Sequence, residues 1–301
     1  MLVLCYHKIG SIEDDWNGIT ITPDAFRQQL IWLKENYTIR NIGECSSGLS
    51  ERDVIITFDD GYEDSFTTAL PVLEELEIPV AFFISTGCLD TDKEDWCNEL
   101  SWILRGAQLY PSRFDYAQWH FETQSVDQRV QLHRKLEREM MTFSNPERQI
   151  LMEVLRDWSN VDAGIKRRNY RMLSKAQLQA LAASQSVTIG AHTVNHPALG
   201  ALSQEEQCYE ILESRKTLQN MIGTSVDYFA YPFGGPDSYT RTTIQILKYA
   251  NFRNAFSTTY KRKETEDFSY EIPRVCINEC NLEGFIRKIQ YYQSKKSYLH
   301  I

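Results

Sequence analysis

The sequence predicts an α/β fold of parallel strands with helices packed outside them, arranged as either an open doubly wound sheet or a closed barrel. Short runs rich in β-branched and aromatic residues recur along the 301 residues, and most are too continuously apolar for a sheet wetted on one face. The segments between them carry helix start and stop signals instead of hairpin turns. The length is enough for one principal domain with a substantial core.

In chain order the strand-like runs are "LVLCYH" (2–7), "DVIITF" (53–58), "IPVAFFIS" (78–85), "SVTIGAH" (186–192), "DYFAYPF" (227–233), "FRNAFST" (252–258) and "EIPRVCI" (271–277). After the first run, Thr22 and Pro23 open "TPDAFRQQLIWLKEN", whose Phe26, Leu30 and Leu33 share one helical face. After the second, Asp59 and Asp60 precede "SFTTALPVLEEL", and a short acidic side chain can cap a helix N-terminus. After the fourth, Ser203 and Glu206 form a capping box ahead of "CYEILESRKTLQNMIG", which Gly223 closes. The alternation breaks between about residues 90 and 172, where "DQRVQLHRKLEREMM" and "NPERQILMEVLRDW" are strongly helical. This predicts a helical insertion within a single domain spanning 1–301. Its Trp96, Trp102, Trp119 and Trp158 read as a small core of its own, with sugar stacking or a lid over the site as the competing roles.

Composition excludes several classes of partner. Lys and Arg number 32 against 41 Asp and Glu, a formal charge of −9, and no basic stretch is long enough to track a phosphate backbone, so no nucleic-acid partner is expected. No apolar run is long enough to span a bilayer, and "MLVLCYHKIG" meets His7 and Lys8 before a signal-peptide core can form. A chain that naturally starts here would be cytoplasmic. The seven cysteines are odd in number and scattered, so they read as reduced thiols that mostly pack. Nothing in the sequence indicates an oligomeric state.

The chemistry concentrates in two places. "IITFDDGY" sets Asp59 and Asp60 side by side, and adjacent carboxylates repel unless one stays protonated or a cation sits nearby. "AHTVNHPAL" places His192 and His196 four residues apart, just beyond the apolar "VTIGA". One carboxylate and two imidazoles suffice to hold a divalent metal with positions left for water and substrate, and zinc, cobalt and nickel all suit that set. The second carboxylate is then free to act as a base. A zincin helix would need Glu directly after the first His, whereas Thr193 stands there and Pro197 follows the second. A non-haem iron oxygenase shares the ligand set, but an extra Asp beside it favours hydrolysis, which needs a proton acceptor.

"TFDDG", "HTVNH" and "YPFG", in that order and each at a strand end, resemble the successive motifs of the polysaccharide deacetylases of carbohydrate esterase family 4, the NodB-homology domain. The opening "LCYHKIG…ITPDAFRQQLIWLKEN" is similar to a branch of that family that begins with a Tyr-His dipeptide, here Tyr6 and His7. The resemblance implies a distorted (β/α)7 barrel. It also implies one divalent ion, zinc first with cobalt or nickel as alternatives, held by Asp60, His192 and His196, with Asp59 as general base. Tyr231, Phe233 and Gly234 of "YPFG" would bind substrate, the Phe233 backbone helping to hold the oxyanion.

Two positions depart from the family pattern. Where an Arg often precedes the Pro of "YPFG" by two residues, this chain has Ala230, and Arg274 in "EIPRVCI" is the candidate to orient Asp59 instead. The late motif that usually supplies a histidine acid has no counterpart: His300 reads as a tail residue, and His7, ending the first run, is the better candidate. His120 and His133 fall in the insertion and receive no role. The implied reaction is removal of an N-acetyl group from an acetamido sugar, giving a free amine and acetate. A cytoplasmic enzyme would meet a small, nucleotide-linked or lipid-linked glycan more readily than chitin or peptidoglycan. The alternatives are an O-acetyl esterase or non-sugar amidase using the same site, or an inactive barrel that binds glycan.

Overall fold

The computed structural model describes residues 1–13, 15–45, 50–107, 109–161, 167–259 and 268–297, so His300 lies outside the described residues. Each of the seven apolar runs contains a strand. β1 (Leu2–Tyr6) is followed by β2 (Lys8–Ile9), which pairs with β3 (Thr20–Ile21); β4 (Thr38–Ile39) precedes β5 (Asp53–Phe58) and β6 (Val80–Ile84). A hairpin of β7 (Arg113–Tyr116) and β8 (Trp119–Glu122) comes next, then β9 (Val187–Ala191), β10 (Tyr228–Ala230), β11 (Asn254–Ser257), β12 (Ile272–Pro273) and β13 (Val275–Cys276).

The principal sheet runs β12-β11-β10-β9-β6-β5-β1-β13, with β4 added beside β5, and its pairings are parallel. Its two ends meet in the chain. β12 pairs with β11 and β13 pairs with β1, yet only Arg274 separates them. One split strand therefore closes the sheet into a barrel whose staves are β1, β5, β6, β9, β10, β11 and the β12–β13 pair.

Side-chain alternation sorts these staves into two layers. Leu2, Leu4, Tyr6, Val54, Ile56 and Phe58 point outward into a core shared with the helices. Val3, Ile55, Ala81, Phe83, Ala230 and Phe256 form a second cluster inside the barrel. Phe83 on β6 and Phe256 on β11 have ring centroids 5.3 Å apart although two staves separate them, so they meet across the interior. Gly190 on β9 makes room: a Cβ there would lie 2.4 Å from the Phe83 ring. The same parity sends Cys5 and Thr57 inward, and the positions that follow on that face are His7 and Asp59.

The surrounding helices are α1 (Pro23–Asn36), α2 (Leu70–Glu75), α3 (Trp96–Ile103), α4 (Val126–Met140), α5 (Asn145–Ser159), α6 (Lys175–Ala183), α7 (Gln204–Ile222), α8 (Arg241–Tyr249) and α9 (Leu282–Ser297). α1 buries Phe26, Leu30 and Leu33, the stripe its periodicity predicts. α7 carries the Ser203–Glu206 capping box and ends at Gly223, whose φ of 76° suits glycine. α2 is preceded by a π-turn at Ser65–Ala69 entered from Asp64, so neither Asp59 nor Asp60 caps it. None of the described helices is long and apolar enough to cross a membrane.

Between β6 and α6, helices α3, α4 and α5 and the hairpin gather a separate core that includes Trp96, Leu100, Trp119, Leu132, Leu136 and Leu151. The hairpin was not foreseen in a stretch expected to be helical; its turn passes through Ala117 at φ 51°. Trp96 and Trp119 are 6% and 5% exposed, which places them in that core and not on a stacking surface. His133 is buried there too, 2.9 Å from Ser101 Oγ, and burial pushes its pKa down to about 4.

Candidate active site

The site lies where the strands end. Asp59 follows β5 and still obeys its register, its N–H donating to the Tyr6 carbonyl. Asp60 does not: at φ 73° it leaves the strand, with Gly61 at φ 91° continuing the turn. This break lets two neighbouring carboxylates, which a regular strand would point to opposite faces, approach one region. A Cβ on Gly61 would come 2.9 Å from Ile84 Cγ2, so the turn also needs glycine for space.

Asp60 converges with both histidines. Its Oδ1 lies 3.5 Å from His192 Nε2 and 3.3 Å from His196 Nε2, and all three groups are buried. His192 Nδ1 is 2.8 Å from the Ala230 carbonyl, which can only accept, so Nδ1 carries a hydrogen and the ring turns its Nε2 toward Asp60. Asp60 Oδ1 is buried with no hydrogen-bond partner. Nitrogen and carboxylate lone pairs facing one another in a buried space repel unless a proton or a metal cation sits between them. A tetrahedral ion with bonds of about 2.0–2.1 Å would hold nitrogen and oxygen ligands roughly 3.3 Å apart. The observed spacings match, and the donor set fits a divalent ion. Burial opposes ionisation of Asp60, but the two imidazoles outweigh it and hold the carboxyl well below the usual range.

Asp59 is held differently. Arg274, emerging from the gap between β12 and β13, donates Nη1 to Oδ1 and Nη2 to Oδ2, both at 2.6 Å. Nη1 also reaches Thr57 Oγ1 at 3.2 Å, and the guanidinium lies over the Phe83 ring at 5.3 Å. Burial of Asp59 is outweighed by Arg274 and His192, which hold its carboxyl below the usual range. The ion pair thus sits on the barrel interior, with Asp59 Oδ2 still 3.8 Å from His192 Nε2. His7 is half-buried on the same face, its Nε2 4.0 Å from Cys5 Sγ, and donor atoms of Cys5, His7 and Asp59 all lie within 4.8 Å of one another.

The "YPFG" segment divides into three fates. Tyr231 falls on the outward parity of β10; its ring stacks on Tyr239 at 4.0 Å and its hydroxyl donates to the Tyr270 carbonyl. It is a packing residue, and substrate contact through its side chain is not what the structure provides. Phe233, at φ 61°, lays its ring 4.8 Å from His196 and 6.3 Å from Trp96. Among the described residues no backbone carbonyl accepts its N–H. Gly234 packs against the following strand end, since a Cβ would meet Thr258 N at 2.6 Å.

The supports of the histidine loop were missed at the level of sequence. Glu210 of α7 accepts the N–H groups of Val194 and Asn195 at 2.8 Å each and the Asn195 side-chain amide at 2.8 Å. Arg148 of α5 donates to the Asn195 carbonyl at 2.8 Å, and Trp96 Nε1 donates to the His196 carbonyl at 3.2 Å. The insertion therefore clamps the loop that carries both imidazoles. A signal existed: Glu210 shares a helical face with Ile211, Ser214 and Leu218, and Arg148 with Leu151, Met152 and Leu155. A charge on the apolar face of a helix is buried only with a partner.

Comparison with known proteins bears on the family and the fold. The family model for polysaccharide deacetylase matches residues 46–255, more than half of the chain. A poly-beta-1,6-N-acetyl-D-glucosamine N-deacetylase of Escherichia coli K12 is 29% identical over 97 residues, 30% of this chain and only 14% of that protein. A putative polysaccharide deacetylase of Bacillus subtilis, YxkH, is 20% identical over 92% of this chain and 71% of its own length. Among solved structures, the Streptococcus pyogenes deacetylase PplD in complex with acetate aligns with a TM-score of 0.59 at 18% identity, covering 96% of this chain and 97% of that one. IcaB from Ammonifex degensii aligns at 0.58 and 20% identity, covering 97% and 96%. At that identity the likeness establishes the barrel fold. With the motif-bearing segment matched by the family model, the chain belongs to the polysaccharide deacetylase family.

Proposed function

We propose that the chain, a single barrel domain with an insertion at about residues 90–172, is a metal-dependent hydrolase that removes the N-acetyl group from an acetamido sugar. The observation that carries this reading is the separate engagement of two adjacent carboxylates: Asp60 converges with His192 and His196, while Asp59 is clamped by Arg274 beside them. A divalent cation held by Asp60, His192 and His196, zinc first with cobalt or nickel as alternatives, would supply Lewis acidity toward the amide carbonyl and the attacking water.

The chain's own groups do the rest. Asp59, kept ionised and oriented by Arg274, takes the proton of the attacking water. The Phe233 N–H donates to the carbonyl oxygen as the carbon becomes tetrahedral. His7 gives a proton to the nitrogen as the C–N bond breaks, so the sugar leaves as an amine and the acyl group as acetate. The E. coli relative's poly-β-1,6-N-acetyl-D-glucosamine supports an acetylated amino sugar as substrate, and small, nucleotide-linked or lipid-linked glycans belong to the same class.

Acetate release from β-1,6 and β-1,4 N-acetylglucosamine oligomers, a nucleotide-linked N-acetylglucosamine and an O-acetylated sugar tests the reading, before chelation, after it and with metal restored. Release that disappears with chelator and returns with metal is expected. Chelator-insensitive release would overturn the metal assignment, release only from O-acetyl esters would shift the reaction, and none from any compound would leave a glycan-binding barrel.

A further inference from the structure

The barrel interior gathers a second set of donors that the reaction above does not need as ligands. Cys5 on β1 and Cys276 on β13 are partners in the parallel register, so their side chains leave the same face, and His7 follows Cys5 on that face. Cys5 Sγ lies 3.3 Å from Asp59 Oδ2 and 4.0 Å from His7 Nε2. We propose that Cys5, His7 and Asp59 form an inhibitory site for a thiophilic divalent cation, adjacent to the one formed by Asp60, His192 and His196; the inhibition rests on the roles proposed above for Asp59 and His7.

The spacing suits a metal. A tetrahedral zinc ion, with bonds of about 2.3 Å to sulfur and about 2.0–2.1 Å to nitrogen or oxygen, holds such ligands roughly 3.5 Å apart. The two measured separations bracket that value. Arg274 uses one lone pair on each oxygen of Asp59, and a carboxylate oxygen has two, so Oδ2 keeps one for an ion. His7 Nδ1 is buried without a hydrogen-bond partner, so among the described residues only the 4.0 Å contact of Nε2 with Cys5 Sγ holds the ring against the small turn ligation requires. Access is available because His7 and Cys276 are only half-buried.

Charge ranks the two sites. Asp59 and Arg274 neutralise one another, so a second cation is balanced by thiolate alone and is repelled by an ion at the first site. It binds only in excess. Once there, it draws on the lone pairs by which Asp59 accepts a proton and His7 carries one, and hydrolysis stops.

Cobalt(II) titration of the reduced, metal-free protein reads both sites, because cobalt bound to sulfur shows thiolate-to-metal charge-transfer absorption and cobalt bound by carboxylate and imidazole does not. The wild type is expected to take up two cobalt ions per chain, the second with the thiolate band, and acetate release is expected to fall at least tenfold as that band saturates. Cys5→Ala should take up one ion with no band. His192→Ala should take up one ion with the band intact. Uptake of a single ion by the wild type, absence of the band at saturation, or an unchanged band in Cys5→Ala would overturn the proposal. Should Cys5→Ala fail to fold, His7→Ala should weaken the band-forming ion at least tenfold, and unchanged affinity overturns the site. Two ions with the band but no acetate from any substrate would leave this site standing and remove the deacetylase reading instead.

Discussion

Arg274→Met is the perturbation that separates the base from its support. Arg274 is 1% exposed and makes two 2.6 Å bonds to Asp59, which is itself 4% exposed. Methionine keeps the apolar stem against Phe83 and removes the charge, leaving a buried carboxylate without its counter-ion. Breaking such a pair from one side costs about 3–5 kcal/mol, which for a chain of this size lowers the melting temperature by on the order of 10 °C. Asp59→Asn with Arg274→Met removes both charges, so the double variant should recover part of that loss and show a coupling of a few kcal/mol in a denaturant-melt cycle. Strict additivity would refute the pairing. Activity gives an independent reading. Arg274 holds the Asp59 pKa down, so its loss raises that pKa, and the acid limb of the rate profile should move to higher pH; an unmoved limb would refute its role in keeping the base ionised.

Three further outcomes follow from the same geometry. Glu210→Ala frees two N–H groups of the histidine loop and should weaken metal binding by about 10- to 100-fold in chelator competition; unchanged affinity would mean the loop holds its shape unaided. Gly190→Ala places a methyl 2.4 Å from Phe83 and should cost roughly 1–3 kcal/mol in denaturant melts, with Phe83→Leu relieving part of it. His133 has a folded pKa of about 4, below its unfolded value, so its contribution is fully present above about pH 6.5 and is lost as pH falls through 4. Tryptophan fluorescence of the insertion should show up to about 3 kcal/mol of acid destabilisation across that window, absent in a folded His133→Gln variant.

Strand positions were legible because most barrel staves are buried on both faces, and an uninterrupted apolar run such as "DVIITF" has few other uses. The adjacent aspartates and His192 could be singled out because they stand at the ends of those runs, His196 because it follows His192 by four residues, and Arg274 because it is a charge inside one of them. Tyr231 was misread for lack of parity: Ala230 points inward, so its neighbour must point out, and only the strand register reveals which is which. The hairpin 113–122 escaped because "RFDYAQWHFE" mixes charge and aromatics without the glycine that usually marks a two-residue turn, and Ala117 adopts the left-handed conformation instead. Glu210 and Arg148 act across contacts between distant segments, so spacing alone could flag them as misplaced charges without naming their partners.

The central claim is that two neighbouring carboxylates do different work, and metal content measured beside acetate release tests it most directly. With one equivalent of zinc supplied, Asp59→Asn should retain the ion and release no acetate, while Asp60→Asn should lose the ion. Zinc lost from Asp59→Asn, or kept with wild-type affinity by Asp60→Asn, would contradict the account.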